Sequence, residues 1–436
     1  MTTRLPKAER PVEAEGPEPP ESLFEEARRR RRRRYALGVL AVVGAAGLVA
    51  GLVGSSSPPP PSGPPAHRST PPSSSGYSVS TSDGATARSV GLPGFSPSDI
   101  VSLDHELWLV GRPSSTSAGT TQATRCSVEE VDPATMRRVH RFPLEACGDY
   151  VARGGRDVFL AVITNLSPTN TQSVRLERFD PQTGRSVVLP PVDVTVSGSS
   201  RAHCELAYAD GAVWFWGYGT PGTPGDGLVE ISPSTGAVMR TLPSSVLPGD
   251  GLPRNVLVGS GQNLWLAGAP TGGREVIEVL GPGRTTPRVV YSGGEFIEWM
   301  SAVGGEVWAY GYTVHTTPSN PANETTTHPR LVEIGATGAV KVVPTSSTLA
   351  GDGIVGSGSS RVGSGWSCRG PLRVWKIDGR TAKVTPLVAV HTPYETCLGT
   401  SGLAVADHAA FTFLADEGFA SRLVRIGFAR SGDAHR

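Results

Sequence analysis

The chain has 436 residues, enough for two or three domains of roughly 100–200 residues, or for one large propeller or barrel. Charged residues make up 18% and hydrophobic ones 38%, with 54 glycines and 38 prolines. That excludes a mainly helical enzyme or a coiled coil, which would be rich in Glu, Lys, Leu and Ala; the net charge of +1 leaves no global nucleic-acid footprint and no expected nucleic-acid partner.

Residues 1–34 open the chain as a polar, disordered tail. It ends in seven consecutive arginines, Arg28 to Arg34. Residues 35–54, YALGVLAVVGAAGLVAGLVG, carry no charge. At ~1.5 Å per residue a helix of this length covers ~30 Å, the hydrocarbon thickness of a bilayer. The arginines flank one side only, so the positive-inside rule puts the N-terminus in the cytoplasm and the rest outside. The expectation is an uncleaved single-pass anchor in the cell membrane; a cleaved signal peptide is the rival. Gly47 and Gly51 form one GxxxG, a possible contact between two such helices. Residues 55–86 are rich in Pro and Ser and read as an extended, solvated linker. Only four of the 40 basic residues are Lys, which looks like the usage of a GC-rich bacterial genome.

A repeat begins after the linker. One phrase is a short apolar strand with a central aromatic: ELWLVG (Glu106–Gly111), DVFLA (Asp157–Ala161), AVWFWG (Ala212–Gly217), NLWLAG (Asn263–Gly268), EVWAYG (Glu306–Gly311) and AFTFL (Ala410–Leu414). From Trp108 the steps are 51, 55, 51 and 43 residues, then 103, which fits two units. The degenerate unit falls around Arg361 to Trp366. A second phrase follows by about 20 residues: VEEVDPAT (Val128–Thr135), LERFDPQTG (Leu176–Gly184), LVEISPSTG (Leu228–Gly236) and RVWKIDGRT (Arg373–Thr381). Each is an alternating strand that ends in tight-turn residues. About four short strands every 40–50 residues is the pattern of a β-propeller. The fold expected is all-β: a seven-bladed β-propeller over 87–428, after a single transmembrane helix and a linker, with a tail at 429–436. The last unit lacks its outer strand. Residues 87–92 are expected to supply it and hide the open edge.

These strands and turns resemble the seven-bladed propellers of the YVTN, quinoprotein and streptogramin-lyase-like groups. The resemblance implies the fold and little about function, because those groups include enzymes, assembly factors and ligand sensors. It implies that the repeat aromatics pack blades rather than stack on substrate.

Of five cysteines, Cys126 and Cys147 bracket the outer half of blade 1, and Cys368 and Cys397 hold the same places in blade 6. The parallel suggests disulfides Cys126–Cys147 and Cys368–Cys397, permitted outside the cell; Cys147 with Cys204 is the alternative. No metal-ligand spacing occurs, and no metal or cofactor is expected.

Function is expected on the face that carries the variable loops Arg112–Arg125, Asn165–Ser173 and Thr313–Pro329. The starts of the inner strands would line a channel mouth there. The candidates are Asp149, Tyr150, His203, Glu205, Arg254, Asn255, Glu298, Trp299, Asp352, Tyr394 and Glu395. Such a mixed ring suits a small polar ligand or a peptide side chain. Nucleophile-elbow, HExxH, Walker A and dinucleotide motifs are absent. His105 and His408 fall in turns of the opposite face. The reading favoured is a non-enzymatic binding, scaffold or sensor module for an envelope protein, a wall component or a ligand. The alternatives are an extracytoplasmic lyase, hydrolase or quinoprotein-type oxidoreductase, or a plain spacer.

Overall fold

The structure, a computed structural model, describes residues 78–81, 85–103, 105–113, 126–145, 150–166, 171–195, 205–217, 227–247, 256–268, 275–293, 296–317, 320–335, 337–345, 353–357, 360–365, 372–378, 381, 383–391, 399–415 and 421–427. The proposed membrane segment lies outside them. No helix among the described residues is long and apolar enough to cross a membrane. The chain divides into two units, Pro72–His315 with Thr326–Arg436, and Met1–Pro71 with Thr316–Thr325. The sheets below belong to the first, apart from the tip of one hairpin.

Two strands precede the repeat, β1 (Ser78–Thr81) and β2 (Thr86–Gly91). Blade 1 holds β3 (Phe95–Leu103), β4 (Glu106–Pro113), β5 (Ser127–Val131) and β6 (Arg138–Pro143). Blade 2 holds β7 (Tyr150–Gly154), β8 (Asp157–Leu166), β9 (Thr171–Asp180), β10 (Arg185–Val188) and β11 (Val192–Thr195). Blade 3 is β12 (Glu205–Ala209), β13 (Ala212–Gly217), β14 (Gly227–Ile231) and β15 (Val238–Leu242), followed by a short 3-10 turn at Ser244–Val246. Blade 4 is β16 (Val256–Ser260), β17 (Asn263–Gly268), β18 (Val276–Leu280) and β19 (Arg288–Ser292). Blade 5 is β20 (Phe296–Val303), β21 (Glu306–Thr317), β22 (Asn320–Ile334) and β23 (Val340–Pro344). Blade 6 is β24 (Ile354–Ser357), β25 (Ser360–Gly365), β26 (Leu372–Asp378) and β27 (Val384–His391). Blade 7 is β28 (Gly399–Ala406), β29 (Ala409–Ala415) and β30 (Arg422–Gly427).

Within each blade, strands that follow one another in sequence pair antiparallel, except that β11 of blade 2 pairs with β9 and not with β10. Blade 7 is completed by β2, which pairs with β30 from Thr86↔Gly427 to Gly91↔Arg422. This is the clasp read from the sequence. A second strap was not foreseen: β1 adds a fifth strand to blade 6, with Ser78 opposite His391. Ser78–Thr81 therefore corrects the linker boundary. Its composition is that of a linker, and only the waiting edge of β27 makes it a strand. Two of the stretches read as variable loops are largely strand. β8 and β9 run on to within four residues of each other, and β21 and β22 together cover most of Thr313–Pro329.

The core is seven clusters, each between neighbouring blades. Trp108, Val110 and Val128 of blade 1 meet Val158, Leu160 and Phe179 of blade 2. Phe159 and Ala161 then face Val213 and Phe215 of blade 3. Trp214 and Trp216 face Leu264 and Leu266, and Trp265 and Ala267 face Val307 and Ala309. Trp308 and Tyr310 face Ile354 and Ile377 of blade 6. Val362 and Val374 face Ala410 and Val424 of blade 7. Phe411 and Phe413 return to Leu107 and Leu109 of blade 1. Alternation along a strand explains the pattern: successive side chains point to opposite faces of a sheet. The central aromatic always points at the next blade, and its apolar neighbours point back. Buried Trp and Phe are blade packing, as expected.

Blade 6 breaks the pattern. In register with Trp108 and Trp308 stands Val362, and in register with Leu107 and Val307 stands Arg361. Arg361 is only 5% exposed. Its guanidinium pairs with Glu306 of blade 5 and lies 5.0 Å from the Trp308 ring. Cation and aromatic thus add to the apolar contact that Trp308 and Tyr310 make with Ile354 and Ile377.

The repeated turns are built on one carboxylate. The Asp132 side chain accepts from the Ala134 N–H at 2.8 Å and the Thr135 hydroxyl at 2.7 Å. Asp180 accepts in the same way from Gln182 and Thr183, at 2.9 and 2.8 Å. The Thr135 hydroxyl and the Ala134 N–H hold the Asp132 carboxyl below its ordinary range. At Asp180 partial burial opposes this, and the hydrogen bonds from Thr183 and Gln182 outweigh it. The turn then needs a positive φ. Gly184 (65°) and Gly236 (71°) supply it, whereas blade 1 uses Met136 at 61°. Burial of the Met136 side chain between blades 7 and 1 offsets the strain there.

Two outcomes are expected. A chain shortened to begin at residue 85 keeps β2 and should melt within a few degrees of the full chain. One that begins at Phe95 loses the clasp and should melt clearly lower or aggregate; equal melting of the two would show that β2 is dispensable. Glu306→Ala strands a buried guanidinium and should cost about 3–5 kcal/mol in urea unfolding, while Arg361→Val, which restores the apolar residue of the other blades, should be near neutral.

Candidate ligand-binding mouth

The inner strands β3, β7, β12, β16, β20, β24 and β28 all start at the same end of their blades. Four of the eleven candidates fall in described strands there. Tyr150 opens β7, Glu205 opens β12, and Glu298 and Trp299 lie near the start of β20. Asp149, His203, Arg254, Asn255, Asp352, Tyr394 and Glu395 lie outside the described residues. Asp149 and Asn255 immediately precede β7 and β16.

Two of the four do not face a mouth. Tyr150 pairs with Ala161 and packs against the cluster between blades 2 and 3. Trp299 is 7% exposed and stacks on Tyr310, with centroids 5.8 Å apart and planes 17° apart. It fills the interface between blades 5 and 6. Both share strand parity with the forward-pointing aromatics of their blades, so both turn sideways into packing.

Glu298 is different. The β20–β21 register runs Ile297↔Gly311 and then Trp299↔Tyr310. Glu298 is the extra residue of a β-bulge, a device that re-aims a side chain and is common beside functional sites. Comparable slips occur near the starts of two other inner strands, between Pro97 and Asp99 in β3 and between Thr400 and Leu403 in β28. In blade 1 the slip leaves the Ser98 hydroxyl donating to the Val110 carbonyl at 3.2 Å, and the Asp99 carboxylate accepting the Ile100 N–H at 2.7 Å.

Around Glu298 the structure assembles residues that the sequence reading did not single out. Phe296 lies opposite Tyr312, with ring centroids 5.2 Å apart. Tyr312 is 6.0 Å from Tyr310. Burial pushes the Tyr310 hydroxyl well above its ordinary value, and the nearby Glu298 charge pushes it further. Across the blade boundary, the Glu275 carboxylate accepts the Ile297 N–H. The signal for this cluster was present as the alternation Trp308, Tyr310, Tyr312. The bulge that brings Glu298 to it was not legible.

Three further carboxylates, two buried and one half-buried, lie on third strands. Glu129, Glu177 and Glu278 occupy one register position on the third strands of blades 1, 2 and 4. Burial pushes the Glu129 carboxyl up, against the pull of Arg138 and Arg141 beside it. Glu177 accepts the Glu145 N–H at 3.1 Å and so pins the crossover between blades 1 and 2. Burial alone pushes Glu278 up. His105 and His408 sit in positive-φ turns, between β3 and β4 and between β28 and β29, at the end of the blades away from the mouth. Cys126 is buried and disulfide-bonded; the other four cysteines lie outside the described residues. No group of three metal-ligating side chains occurs among the described residues.

No family model matches the chain, and no curated protein matches it. Solved structures do align. The β-propeller domain of the trilobed protease from Pyrococcus furiosus has 9% identity, covers 76% of this chain and 93% of that one, and gives a TM-score of 0.44. Pyrococcus horikoshii acylaminoacyl peptidase has 9% identity, 76% and 50% coverage, and a TM-score of 0.46, so the chain spans half the length of that peptidase. Kuenenia stuttgartiensis hydrazine synthase has 15% identity, 74% and 92% coverage, and a TM-score of 0.42.

Proposed function

We propose that this chain is a single-pass membrane protein that displays its propeller outside the cell as a binding module, with an envelope protein, wall component or ligand held at the inner-strand mouth. The observation that carries this reading is the bulge at Glu298. It places a carboxylate beside an aromatic row at the end of the blades where the inner strands begin. A rigid ring of blades holds such a group at little entropic cost, which is what a binding site on a scaffold requires. The uncharged stretch 35–54, the one-sided Arg28–Arg34 run and the Pro/Ser-rich segment after it support the anchor. Packing of two anchors through Gly47 and Gly51 belongs to the same proposal.

The test is a thermal-shift screen of the full-length chain in detergent, against sugars, wall fragments, amines and divalent metals. A ligand at ~100 times its Kd adds about 2.7 kcal/mol, a shift of roughly 3–4 °C for a domain this large. The shift should vanish in Glu298→Ala and in Arg254→Ala. A shift that survives both substitutions would place the site elsewhere. Turnover of a hit, lost on His203→Ala, would move the chain to the enzyme class.

Disulfides Cys126–Cys147 and Cys368–Cys397 are proposed to staple the same face. The Leu144 N–H donates to the Cys126 carbonyl at 2.8 Å, which brings the chain leading to Cys147 back beside Cys126. Non-reducing peptide mapping should recover both pairs; a peptide joining Cys147 to Cys204 would contradict them.

A further inference from the structure

Blades 2 and 7 carry an arginine at the same place on the third strand, opposite the central aromatic. Arg178 pairs with Phe159 and Arg425 with Phe411. In blade 2 the charge is compensated. Asp157 stands two residues before Phe159, and Asp180 two residues after Arg178. Burial pushes the Asp157 carboxyl up, and the Arg178 charge draws it back. At Asp180 burial is opposed by the turn hydrogen bonds and by Arg178. The Arg178 guanidinium also donates to the Pro233 carbonyl at 3.3 Å.

In blade 7 the corresponding residues are Ala409 and Gly427, which pair with each other and carry no charge. Among the described residues none forms a hydrogen bond or ion pair with Arg425 or Arg88. Arg425 is half-buried, and its Nε is shut off from solvent. The clasp then adds a second cation, because β2 sets exposed Arg88 directly opposite Arg425. Like charges in that relation repel, and a half-buried charge without a counter-charge is costly. Donors converge over Gly427: the Thr86 hydroxyl and Arg425 Nη1 lie 2.6 and 3.6 Å from where its Cβ would be. Thr86, Arg88, Arg425 and Gly427 alternate along two paired strands, so they share one face of the sheet.

We infer that the outer edge of blade 7, at the end away from the mouth, is a binding site for a phosphate group, with Arg425 and Arg88 as counter-charges and the Thr86 hydroxyl as a further donor. Two guanidiniums match the charge of a phosphate monoester, and their forked N–H groups match its oxygens. The free ion and a phosphate ester share that chemistry. The site is independent of the mouth.

The experiment follows melting of the full-length chain in detergent at constant ionic strength. The probes are inorganic phosphate, glycerol 3-phosphate, acetate and sodium chloride. Phosphate held by the run Arg28–Arg34 binds folded and unfolded chain alike and so leaves the melting temperature unmoved. Both phosphates should raise that temperature saturably, with acetate and chloride weaker by about tenfold. Arg425→Gln and Arg88→Gln should each weaken the phosphate response by about tenfold. Arg88→Glu supplies the missing counter-charge at an exposed position, so it should melt above Arg88→Gln and not respond to phosphate. Arg185→Gln, at an exposed arginine of the outer strand β10, should change nothing. Tighter response to glycerol 3-phosphate would identify a phosphate carried on a larger molecule, and tighter response to inorganic phosphate the free ion; either supports the inference. A full phosphate response in both glutamine variants, or equal stabilisation by acetate, would overturn it. So would the lack of any saturable response, or one that arises only in Asp83→Asn or Asp433→Asn, which would show that the chain supplies its own carboxylate there.

Discussion

Packing between blades is the constraint on which the rest depends. A four-stranded sheet of this size cannot bury both faces by itself. Here each face is buried by a neighbour, and the seven clusters follow one another round from blade 1 back to blade 1. The arrangement works only if it closes, because an open ring would leave two apolar faces in water. That is why the first described strands belong to the last blades. β2 finishes blade 7, and β1 lies on the outer edge of blade 6. Close approach sets a second requirement. A side chain at Gly259 would come within 1.8 Å of the Tyr208 carbonyl oxygen on the neighbouring inner strand, so only glycine fits.

The aromatic code made most of the fold legible. Trp108, Phe159, Trp214, Trp265, Trp308 and Phe411 mark six blades because packing needs a large forward-pointing side chain in each. Blade 6 was faint for a physical reason: Val362 fills the aromatic slot, and Arg361 reaches back to Glu306 and Trp308 instead. The linker boundary was misplaced because Ser78–Thr81 has no strand signal of its own. Its pairing with β27 is a property of the assembled edge, not of the four residues.

The mouth was only partly legible. The rule that inner-strand starts line it was misleading for Tyr150 and Trp299, which pack between blades, while Glu298 stands apart as the extra residue of a bulge. Strand parity assigns those two to blade interfaces, as the repeat phrase could have shown. A single inserted residue shifts that parity, and nothing in FIEWMSAV says where the slip falls. The bulge after Ile297 therefore had to be seen in the structure. The turns were more transparent. Asp followed by Pro and, three residues on, Thr encodes its own hydrogen bonds, and the structure repeats them in blades 1 and 2.

The central claim is that seven blades form one closed cooperative unit, with the Arg361–Glu306 ion pair joining the apolar packing between blades 5 and 6. Hydrogen exchange measured strand by strand tests it most directly. The account predicts that the central amides of β25 and β29 exchange as slowly as those of β4 and β13, by a common global opening. Fast exchange confined to β25 and its neighbours, with blades 1–5 still protected, would contradict it.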